Sequence, residues 1–427
     1  MPAAISAPPY TEQSLSTNPD METKDLELIL VTLAGQDHPG MTAAFTEILA
    51  RYDAGILDIG QADIHHTLSL GFLIKTHSGV SGDIMKELLF KASELNINIR
   101  FAPVSLEEYE QWVGRQGKHR WIITLLGRRL KASQFADVSQ EIFKQGLNID
   151  AIQRLTGRMP LGDEEQPLAK SCVEFSVRGT PLNYAEMQKK FMQLSQEEDF
   201  DISVQEDTMY RRCRRLICFD MDSTLIETEV IDELAIRAGV GDQVKAITER
   251  AMRGEIDFCE SFKERVALLK GLDESVMRDI AENLPITEGL SRLMEVLKRA
   301  GFKSAILSGG FTYFGNYLKQ KFGFDYVYAN ELEIVDGKLT GNYLGDIVDG
   351  KRKAELLRLL AQVENVNIAQ TIAVGDGAND LPMLSTAGLG IAFHAKPKVR
   401  KTANQSISTI GLDGILYFLG FKDSFIS

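Results

Sequence analysis

The chain has 427 residues, of which 47 are Lys or Arg and 60 are Asp or Glu, so its formal net charge is −13. At about 150 residues per domain, this length predicts about three domains, each able to bury a core without disulfides. The acidic balance excludes nucleic acid and anionic membranes as main partners, and the lack of any apolar run of about 20 residues excludes a membrane span.

Residues 1–25 lack the basic and apolar segments of a secretory signal, and their polar composition predicts a disordered tail. The four cysteines form no CxxC pair, so we interpret them as reduced thiols of a cytoplasmic protein, without zinc or disulfides. The neighbouring His65 and His66 would point to opposite faces of a strand, which argues against a shared metal site.

Residues 26–105 predict a β-α-β-β-α-β unit of the ferredoxin-like type. Its successive segments are LELILVTLAG, MTAAFTEILARY, ILDIGQADIHHT, LSLGFLIKTH, GDIMKELLFKASEL and NINIRFAPV. Residues 118–207 repeat this order, beginning with the strand RWIITLLG and ending with DISVQ. The polar segment SLEEYEQWVGRQGKH is predicted to be the linker between the two units.

Residues 208–427 alternate short apolar runs (LICF, KSAIL, TIAVG and LGIAF) with helical patterns. This alternation predicts an α/β domain with a parallel sheet and helices on both faces. A hairpin with a turn at Asp336-Gly337 interrupts it, and a helical stretch at about 229–284 is inserted after the first strand. Chemistry is expected beyond the carboxyl ends of the strands.

Two carboxylates, Asp220 and Asp222, follow the first of these strands. Neighbouring acids repel each other, so a cation lies between them, one is protonated, or both are solvated. Oxygen ligands of this kind suit Mg²⁺, but the pair alone is equally compatible with a solvated turn.

Other strand ends and one helix start carry further candidate residues. Ser308-Gly309 follows KSAIL and suits a phosphate oxygen, although a simple turn is the commoner meaning of such a pair. Residues 375–380, GDGAND, indicate a metal site, while the EF-hand and Walker A patterns are missing. Lys353 begins a helix, where a cation is unfavourable without a nearby anion; the alternative is an ordinary surface lysine.

Taken in order, DMDST, SGG, Lys353 and GDGAND resemble the four motifs of the haloacid dehalogenase-like phosphohydrolases. Across about residues 208–420, the segments FDMDSTLIETEVIDELA, MRGEIDFCESFKERVALLKG, LSGGF and VGDGANDLPML resemble the phosphoserine phosphatase family in that group. The two preceding units, with GQDHPG in the first turn, resemble tandem ACT domains, which are amino-acid-sensing modules. The resemblance implies a Rossmann-like haloacid dehalogenase core with a helical cap, preceded by two ferredoxin-like ACT domains.

The resemblance also implies a reaction, the hydrolysis of O-phospho-L-serine through an aspartyl-phosphate on Asp220, as the last step of serine biosynthesis. Asp222 would serve as acid and then base. Mg²⁺ would be held by the Asp220 carboxylate, the Asp222 carbonyl and Asp376. The phosphate-binding set would be Ser308, Gly309, Lys353 and Asn379, with Asp380 orienting Lys353 or metal-bound water.

The helical cap is expected to select the substrate and to open and close. By resemblance, Glu229 would bind the substrate ammonium, Arg265 would bind its carboxylate as a planar fork, and Phe258 would exclude water. The alternative for Arg265 is a surface ion pair with Glu264 or Glu260.

The first ACT-like turn is predicted to bind an amino-acid effector, serine, through Gly35, Asp37, Pro39 and Gly40. The corresponding turn of the second repeat, GRRLKA, lacks the aspartate and the Pro-Gly pair. The alternative is a dimerisation scaffold without ligand, and the usual pairing of ACT domains predicts a homodimer. Two other functions stay open: a phosphatase or phosphotransferase for another small phosphomonoester, and a non-catalytic amino-acid sensor, which would not need the acidic set.

Overall fold

The computed structural model describes residues 25–114, 117, 119–160, 168–403 and 405–426. They form two compact units, which divide after Gly117. The predicted tail lies outside the described residues except for Asp25. All four cysteines are free thiols, and within the described ranges every helix is too short or too polar to cross a bilayer. The cytoplasmic location stays a prediction.

The first unit contains the predicted β-α-β-β-α-β order. Its elements are β1 (Leu26–Gln36), α1 (Met41–Arg51), β2 (Gly55–Ile64), β3 (Thr67–His77), α2 (Ser78–Glu94) and β4 (Asn98–Val104). The antiparallel sheet has the strand order β2-β3-β1-β4. Val31 of β1 lies opposite Phe72 of β3, and both are buried with Phe45 of α1. The alternation of buried and open positions along β3 therefore places one face of the sheet against the helices.

The predicted linker contains a helix, α3 (Leu106–Val113), which the polarity of the segment did not indicate. The hydroxyl of Ser105 accepts a hydrogen bond from the Glu108 amide at 3.1 Å, and the Glu108 carboxylate accepts one from the Ser105 amide at 2.9 Å. This reciprocal capping box satisfies two free amides at the helix start. The Ser-x-x-Glu spacing was the available sequence signal.

The predicted strand that ran through His65 and His66 is wrong at its end. Both residues have left-handed backbone angles, with φ of 52° and 61°, and they form the turn between β2 and β3. A two-residue hairpin turn with positive φ at both positions matches the twist of the flanking strands.

The second unit begins with a repeat of the same order. Its elements are β5 (Arg120–Gly127), α4 (Ala132–Lys144), β6 (Asn148–Arg154), β7 (Ser171–Arg178), α5 (Tyr184–Glu197) and β8 (Asp201–Glu206). The strand order β6-β7-β5-β8 is equivalent to that of the first repeat. The repeat predicted from the sequence is confirmed.

A seven-stranded sheet of order β12-β11-β10-β9-β13-β14-β15 forms the rest of this unit. Its strands are β9 (Leu216–Phe219), β10 (Lys303–Phe311), β11 (Tyr326–Val335), β12 (Lys338–Leu344), β13 (Thr371–Gly375), β14 (Leu389–Phe393) and β15 (Gln405–Ile407). Only β11 and β12 pair antiparallel, as the predicted hairpin at one edge. The central strands β9 and β13 are buried throughout, as parallel strands covered on both faces must be.

The predicted helical insert consists of four helices, α7 (Val230–Arg237), α8 (Gly241–Met252), α9 (Phe258–Ala267) and α10 (Ser275–Glu282). The other helices are α6 (Met209–Arg212), α11 (Leu290–Arg299), α12 (Thr312–Phe322), α13 (Gly350–Val363), α14 (Leu381–Thr386), α15 (Pro397–Thr402), α16 (Ile415–Phe418) and α17 (Asp423–Ile426), with 3₁₀ turns at Ile368–Gln370, Ala378–Asp380 and Leu412–Gly414.

The chain enters and leaves this insert through two paired segments, residues 225–227 and 285–287, which we call the hinge ladder. The Glu227 amide donates to the Pro285 carbonyl at 2.9 Å, and the Thr287 amide donates to the Leu225 carbonyl at 3.1 Å. These two bonds pair the entering and leaving segments at the base of the insert. The insert is also bonded to the β11–β12 hairpin, where the Gly271 amide donates to the Leu339 carbonyl at 2.8 Å and the Glu274 amide donates to the Gly337 carbonyl at 2.9 Å.

The second repeat packs directly on the seven-stranded domain. Leu126, Leu155 and Cys172 from the repeat belong to the same buried apolar cluster as β9 and β13. Asp201 is fully buried, and its carboxylate accepts hydrogen bonds of 2.7–3.0 Å from the amides and hydroxyls of Ser408 and Thr409. Buried apolar and charge-assisted contacts therefore fix the two parts to each other.

Candidate active site

Asp220 and Asp222 are buried at the carboxyl end of β9, with 5% and 9% of their surface exposed. The Asp220 amide continues the sheet by donating to the Val374 carbonyl at 2.9 Å, and the Met221 amide donates to the Asp220 carboxylate at 2.7 Å. The alternative of a solvated turn is therefore excluded for this pair.

Three carboxylates meet at this end of the sheet. Oxygens of Asp220, Asp376 and Asp380 all lie within 4.8 Å of one another. Lys353 reaches them from α13 with a fully buried side chain, its Nζ 2.8 Å from Asp220 and 2.7 Å from Asp380. Lys353 is not a surface lysine, and its ammonium leaves two negative charges of the cluster unbalanced. A hard divalent cation fits both this charge and an all-oxygen ligand set.

The pKa values of the clustered residues also indicate a bound cation. Burial and the neighbouring Asp380 raise the pKa of Asp220, which Lys353 only partly opposes. Burial and Asp380 also raise the pKa of Asp376, to about 7. Burial alone would lower the pKa of Lys353, but Asp220 and Asp380 outweigh it and raise that pKa, so the ammonium stays charged. A further cation is needed to keep these carboxylates ionised at neutral pH.

The Asp222 carboxylate is not a member of this three-carboxylate cluster. It accepts a hydrogen bond from the Val230 amide at 2.9 Å, at the first residue of α7, and lies 3.5 Å from the Ser308 hydroxyl. Burial and the neighbouring Glu229 raise the pKa of Asp222 to about 8. A carboxyl group that is protonated near neutral pH is suited to donate a proton.

Ser308 and Gly309 lie in the extended end of β10, beside Asp222. Ser308 is fully buried, and its hydroxyl accepts a hydrogen bond from the Gly310 amide at 2.9 Å. A Cβ at Gly309 would lie 2.8 Å from the ring of Phe258, so only glycine lets this ring approach the strand so closely. The structure thus brings the predicted Phe258 onto the Ser-Gly motif.

The two predicted recognition residues of the insert lie near the same carboxylates. Glu229 immediately precedes α7 and accepts a hydrogen bond from the Ser223 hydroxyl at 2.8 Å. Burial lowers the pKa of Arg265, while Glu229 and Asp232 oppose this effect, which places all three groups within electrostatic range. Of the two alternative partners of Arg265, Glu264 pairs with Arg250 at 2.8 Å instead, and the Glu260 carboxylate accepts a hydrogen bond from the Asp257 amide at 3.2 Å.

Asn379 and Asp380 share the 3₁₀ turn after β13, and this turn contacts α13, which carries Lys353. Two supporting residues were missed by sequence reasoning. Thr224 donates to the Asp376 carboxylate at 3.1 Å, and its signal was its place inside DMDST. Asn330 of β11 donates to the Gly309 carbonyl at 2.8 Å, and nothing in the sequence near Asn330 indicated this long-range contact.

The four residues of the predicted regulatory site lie together in the turn between β1 and α1. Gly35 is near the end of β1, and Gly40, with φ of 89°, caps α1. Asp37 and Pro39 are exposed between them, and the Asp37 amide donates to the His66 carbonyl at 2.9 Å.

Fold and site together define a class of protein, the haloacid dehalogenase-like hydrolases, here preceded by ACT domains. The haloacid dehalogenase-like hydrolase family model matches residues 217–385, and two ACT domain models match residues 27–102 and 119–205. The chain belongs to the phosphoserine phosphatase family within this class. It is 39% identical to the phosphoserine phosphatase of Streptomyces coelicolor over 406 residues, 93% of each chain.

Further relatives have the same name. The chain is 39% identical to phosphoserine phosphatase SerB2 of Mycobacterium tuberculosis, over 92% of this chain and 93% of that protein. Among solved structures, the probable phosphoserine phosphatase of Vibrio cholerae matches with a TM-score of 0.56 and 38% identity, covering 70% of this chain and 86% of the other.

Proposed function

We propose that this protein hydrolyses O-phospho-L-serine to L-serine and phosphate, as the last step of serine biosynthesis. The observation that supports this most directly is the fully buried Lys353, whose ammonium bridges Asp220 and Asp380 at the carboxyl ends of the central strands. A structural ion pair alone would not need a third carboxylate, Asp376, in the same cluster. A phosphoryl group needs such a concentration of positive and metal-binding groups.

In the proposed mechanism, an oxygen of Asp220 attacks the phosphorus atom and the bond to the serine oxygen breaks. Asp222 gives its proton to that departing oxygen, which its raised pKa of about 8 favours. Asp222, now a carboxylate, then takes a proton from water, and the resulting hydroxide attacks the aspartyl-phosphate on Asp220. Phosphate leaves and the Asp220 carboxylate is restored, so that one difficult displacement is replaced by two easier ones.

Four groups at this end of the sheet are assigned to the phosphoryl oxygens. Ser308 offers a hydroxyl and Gly309 a backbone amide, while Lys353 adds a fixed positive charge and Asn379 an amide. Because these groups are positioned by β10, by α13 and by the 3₁₀ turn after β13, they stabilise the developing charge without reorganising during the reaction.

We propose Mg²⁺ as the metal, held by the carboxylates of Asp220 and Asp376 and by the backbone carbonyl of Asp222. The ion supplies charge neutralisation between the anionic nucleophile and the anionic phosphate. Asp380 is assigned to Lys353, because its carboxylate lies 2.7 Å from the ammonium and also accepts from the Gly377 amide at 2.9 Å.

The proposed substrate contacts of the insert are complementary to the amino-acid part of phosphoserine. Arg265 binds the carboxylate through its guanidinium and Glu229 binds the ammonium, while Phe258 covers the phosphate position at Gly309. Closure of the four helices over the sheet brings these contacts together and excludes water.

Phosphate release from a panel of small phosphomonoesters, with Mg²⁺ and with a chelator, tests the function. We expect phosphoserine to give the highest kcat/KM, and chelation to remove more than about 99% of the rate, because the unbalanced carboxylates repel a phosphate dianion. Equal rates on all esters would contradict the specificity, and a phosphorylated acceptor in place of free phosphate would identify a phosphotransferase.

Arg265→Ala is expected to lower kcat/KM for phosphoserine by about 10²- to 10³-fold, the loss typical of removing one partner of a desolvated charge pair. An aryl phosphate has no carboxylate, so its kcat/KM should fall by less than about threefold. Arg250→Ala is the matched control, because Arg250 also lies in the insert but pairs with Glu264. Equal losses on the two substrates would remove the assignment of Arg265 to the substrate carboxylate.

We also propose that serine binds the first ACT domain at Gly35, Asp37, Pro39 and Gly40 and regulates the enzyme as feedback by its product. The exposed Asp37 carboxylate suits the ammonium of an amino acid. The edge strand β2 exposes Ile56 and Ile59 by 42% and 50%, which supports the further proposal of a homodimer formed through this domain.

Calorimetry of the full chain with serine tests this regulatory site. Asp37→Ala should weaken serine binding by at least about tenfold, because the ammonium loses a charge-assisted hydrogen bond. Asp83→Ala, an exposed aspartate at the start of α2, is the control and should bind serine normally. Absence of heat from the unmodified chain with serine and with other amino acids would refute effector binding.

A further inference from the structure

The turn after β5 in the second ACT domain has a different role from its counterpart in the first. It begins at Arg128 and corresponds to the turn that carries Asp37 in the first repeat. This turn lacks the aspartate and the Pro-Gly pair of the first repeat. It contacts the catalytic domain instead, because the Arg128 guanidinium donates to both carboxylate oxygens of Glu288, with Nη1 3.0 Å from Oε1. Such a two-point contact fixes direction as well as distance.

Glu288 directly follows the hinge ladder, at the start of the catalytic core. Thr287, its neighbour, makes the last bond of that ladder, to the Leu225 carbonyl, and α11 of the catalytic core begins two residues later. The Glu288 carbonyl is itself fixed by the Leu412 amide at 2.8 Å. Glu288 is thus the point at which the returning hinge segment joins the catalytic core.

A second group of charged residues, Lys170, Asp413 and Arg292, lies close to Glu288. Lys170 of the second ACT domain pairs with the buried Asp413 and lies 3.9 Å from Glu288. Arg292 of α11 pairs with the same Asp413 at 3.1 Å. The Arg128 hydrogen bonds lower the pKa of Glu288, so its carboxylate is ionised at neutral pH. The second ACT domain therefore contacts Glu288 through Arg128 and Lys170, and it reaches α11 indirectly, through the Asp413 carboxylate that Lys170 and Arg292 share.

We propose that Arg128 and Glu288 are positioning residues, a clasp through which the second ACT domain sets the closing geometry of the helical cap. This rests on the proposed function, in which cap closure brings Arg265 onto the substrate. The turn that is proposed to bind effector in the first repeat thus has a counterpart in the second repeat that holds the hinge. A displacement of the β5–α4 turn would therefore move Glu288, because the two hydrogen bonds from Arg128 join the turn to the Glu288 carboxylate.

The test compares phosphoserine, whose carboxylate and ammonium are proposed to contact Arg265 and Glu229 of the cap, with an aryl phosphate, which has neither group. Arg128→Ala should lower kcat/KM for phosphoserine about tenfold, mainly through KM, and that for the aryl phosphate less than about threefold. Arg128→Lys, which keeps the charge but not the fork, should restore only part of the loss. The exchanged pair Arg128→Glu with Glu288→Arg should restore most of it. Arg178→Ala is the matched control, because Arg178 pairs with Asp150 inside the same ACT domain at 3.0 Å.

A structural role alone would lower both activities equally, by reducing the folded fraction. Equal losses on the two substrates, no loss on either, or a loss as large in Arg178→Ala would overturn the clasp. If Arg128→Ala does not fold, the isosteric Glu288→Gln provides the same comparison. The unmodified enzyme is assayed first: failure on phosphoserine there refutes the proposed function, whereas a normal rate there with an unchanged substrate ratio in the variants refutes only the clasp.

Discussion

Asp220→Asn is expected to lower kcat for phosphoserine by on the order of 10⁴-fold or more, because an amide cannot form the phosphorylated intermediate. The fold should persist, since the side chains have the same shape. Removing one of three clustered carboxylates also relieves repulsion, so the free energy of unfolding measured with a chelator should not decrease. Phosphate release and urea denaturation of the same preparation measure both effects.

Asp242→Asn is the control for this change, because Asp242 is an exposed aspartate at the start of α8. It should leave activity within about twofold of the unmodified enzyme. Beryllium fluoride, a mimic of the phosphoryl group, should bind the unmodified protein at Asp220 and fail to bind the variant. An Asp220→Asn enzyme with a tenth of normal activity, in the absence of deamidation by mass spectrometry, would show that another group is the nucleophile.

Lys353→Met is expected to have the second large effect, on stability as well as on rate. It leaves Asp220 and Asp380 buried without their ammonium, and breaking a buried ion pair costs about 3–5 kcal/mol of unfolding free energy. The kcat should fall on the order of 10³-fold, since a fixed charge on the phosphoryl oxygens is lost. Denaturation with a chelator, at several pH values, measures the first effect, and phosphate release measures the second.

The pH dependence of this loss has a definite sign. The pKa of Asp220 in the folded protein is raised, and it rises further when Lys353 is removed. A carboxyl group with a raised folded pKa makes the folded state less stable as the pH rises from its unfolded pKa through the folded one. The deficit of Lys353→Met should therefore be larger at pH 8 than at pH 5.

Lys351→Met is the matched control, because Lys351 lies two residues earlier on the same helix and is exposed. Its unfolding free energy should change by less than about 0.5 kcal/mol. A Lys353→Met protein that is as stable as the Lys351→Met protein at both pH values would show that the ammonium does not compensate the cluster.

The sequence predicted the central chemistry well because the fold uses a simple rule there. Asp220, Ser308 and Asp376 each lie at the end of a short apolar strand, and parallel strands bring such ends to one edge. The periodicity of residues 26–105 and 118–207 likewise predicted both small units, since two helices must pack against one face of each sheet.

Other features depended on contacts that no local pattern reveals. Asn330 supports Gly309 across 21 positions of the chain, and Arg128 reaches Glu288 across 160. Taken alone, Lys353 was more compatible with an ordinary surface lysine, because its burial depends on two acids, Asp220 and Asp380, that are distant from it in the chain. The helix at Leu106–Val113 was missed for a different reason: a capping signal was present, but the polarity of the segment favoured a linker.

The buried contact between Asp201 of the second ACT domain and Ser408 and Thr409 of the catalytic domain has a consequence for engineering of this chain. Deleting everything before β9 would leave Ser408 and Thr409 with unpaired donors and would expose to water the apolar patch that Leu126, Leu155 and Cys172 cover. For chimeras with a different sensor, the exchangeable module is therefore the first ACT domain alone, and the fusion point belongs in the segment before β5 rather than at the catalytic boundary.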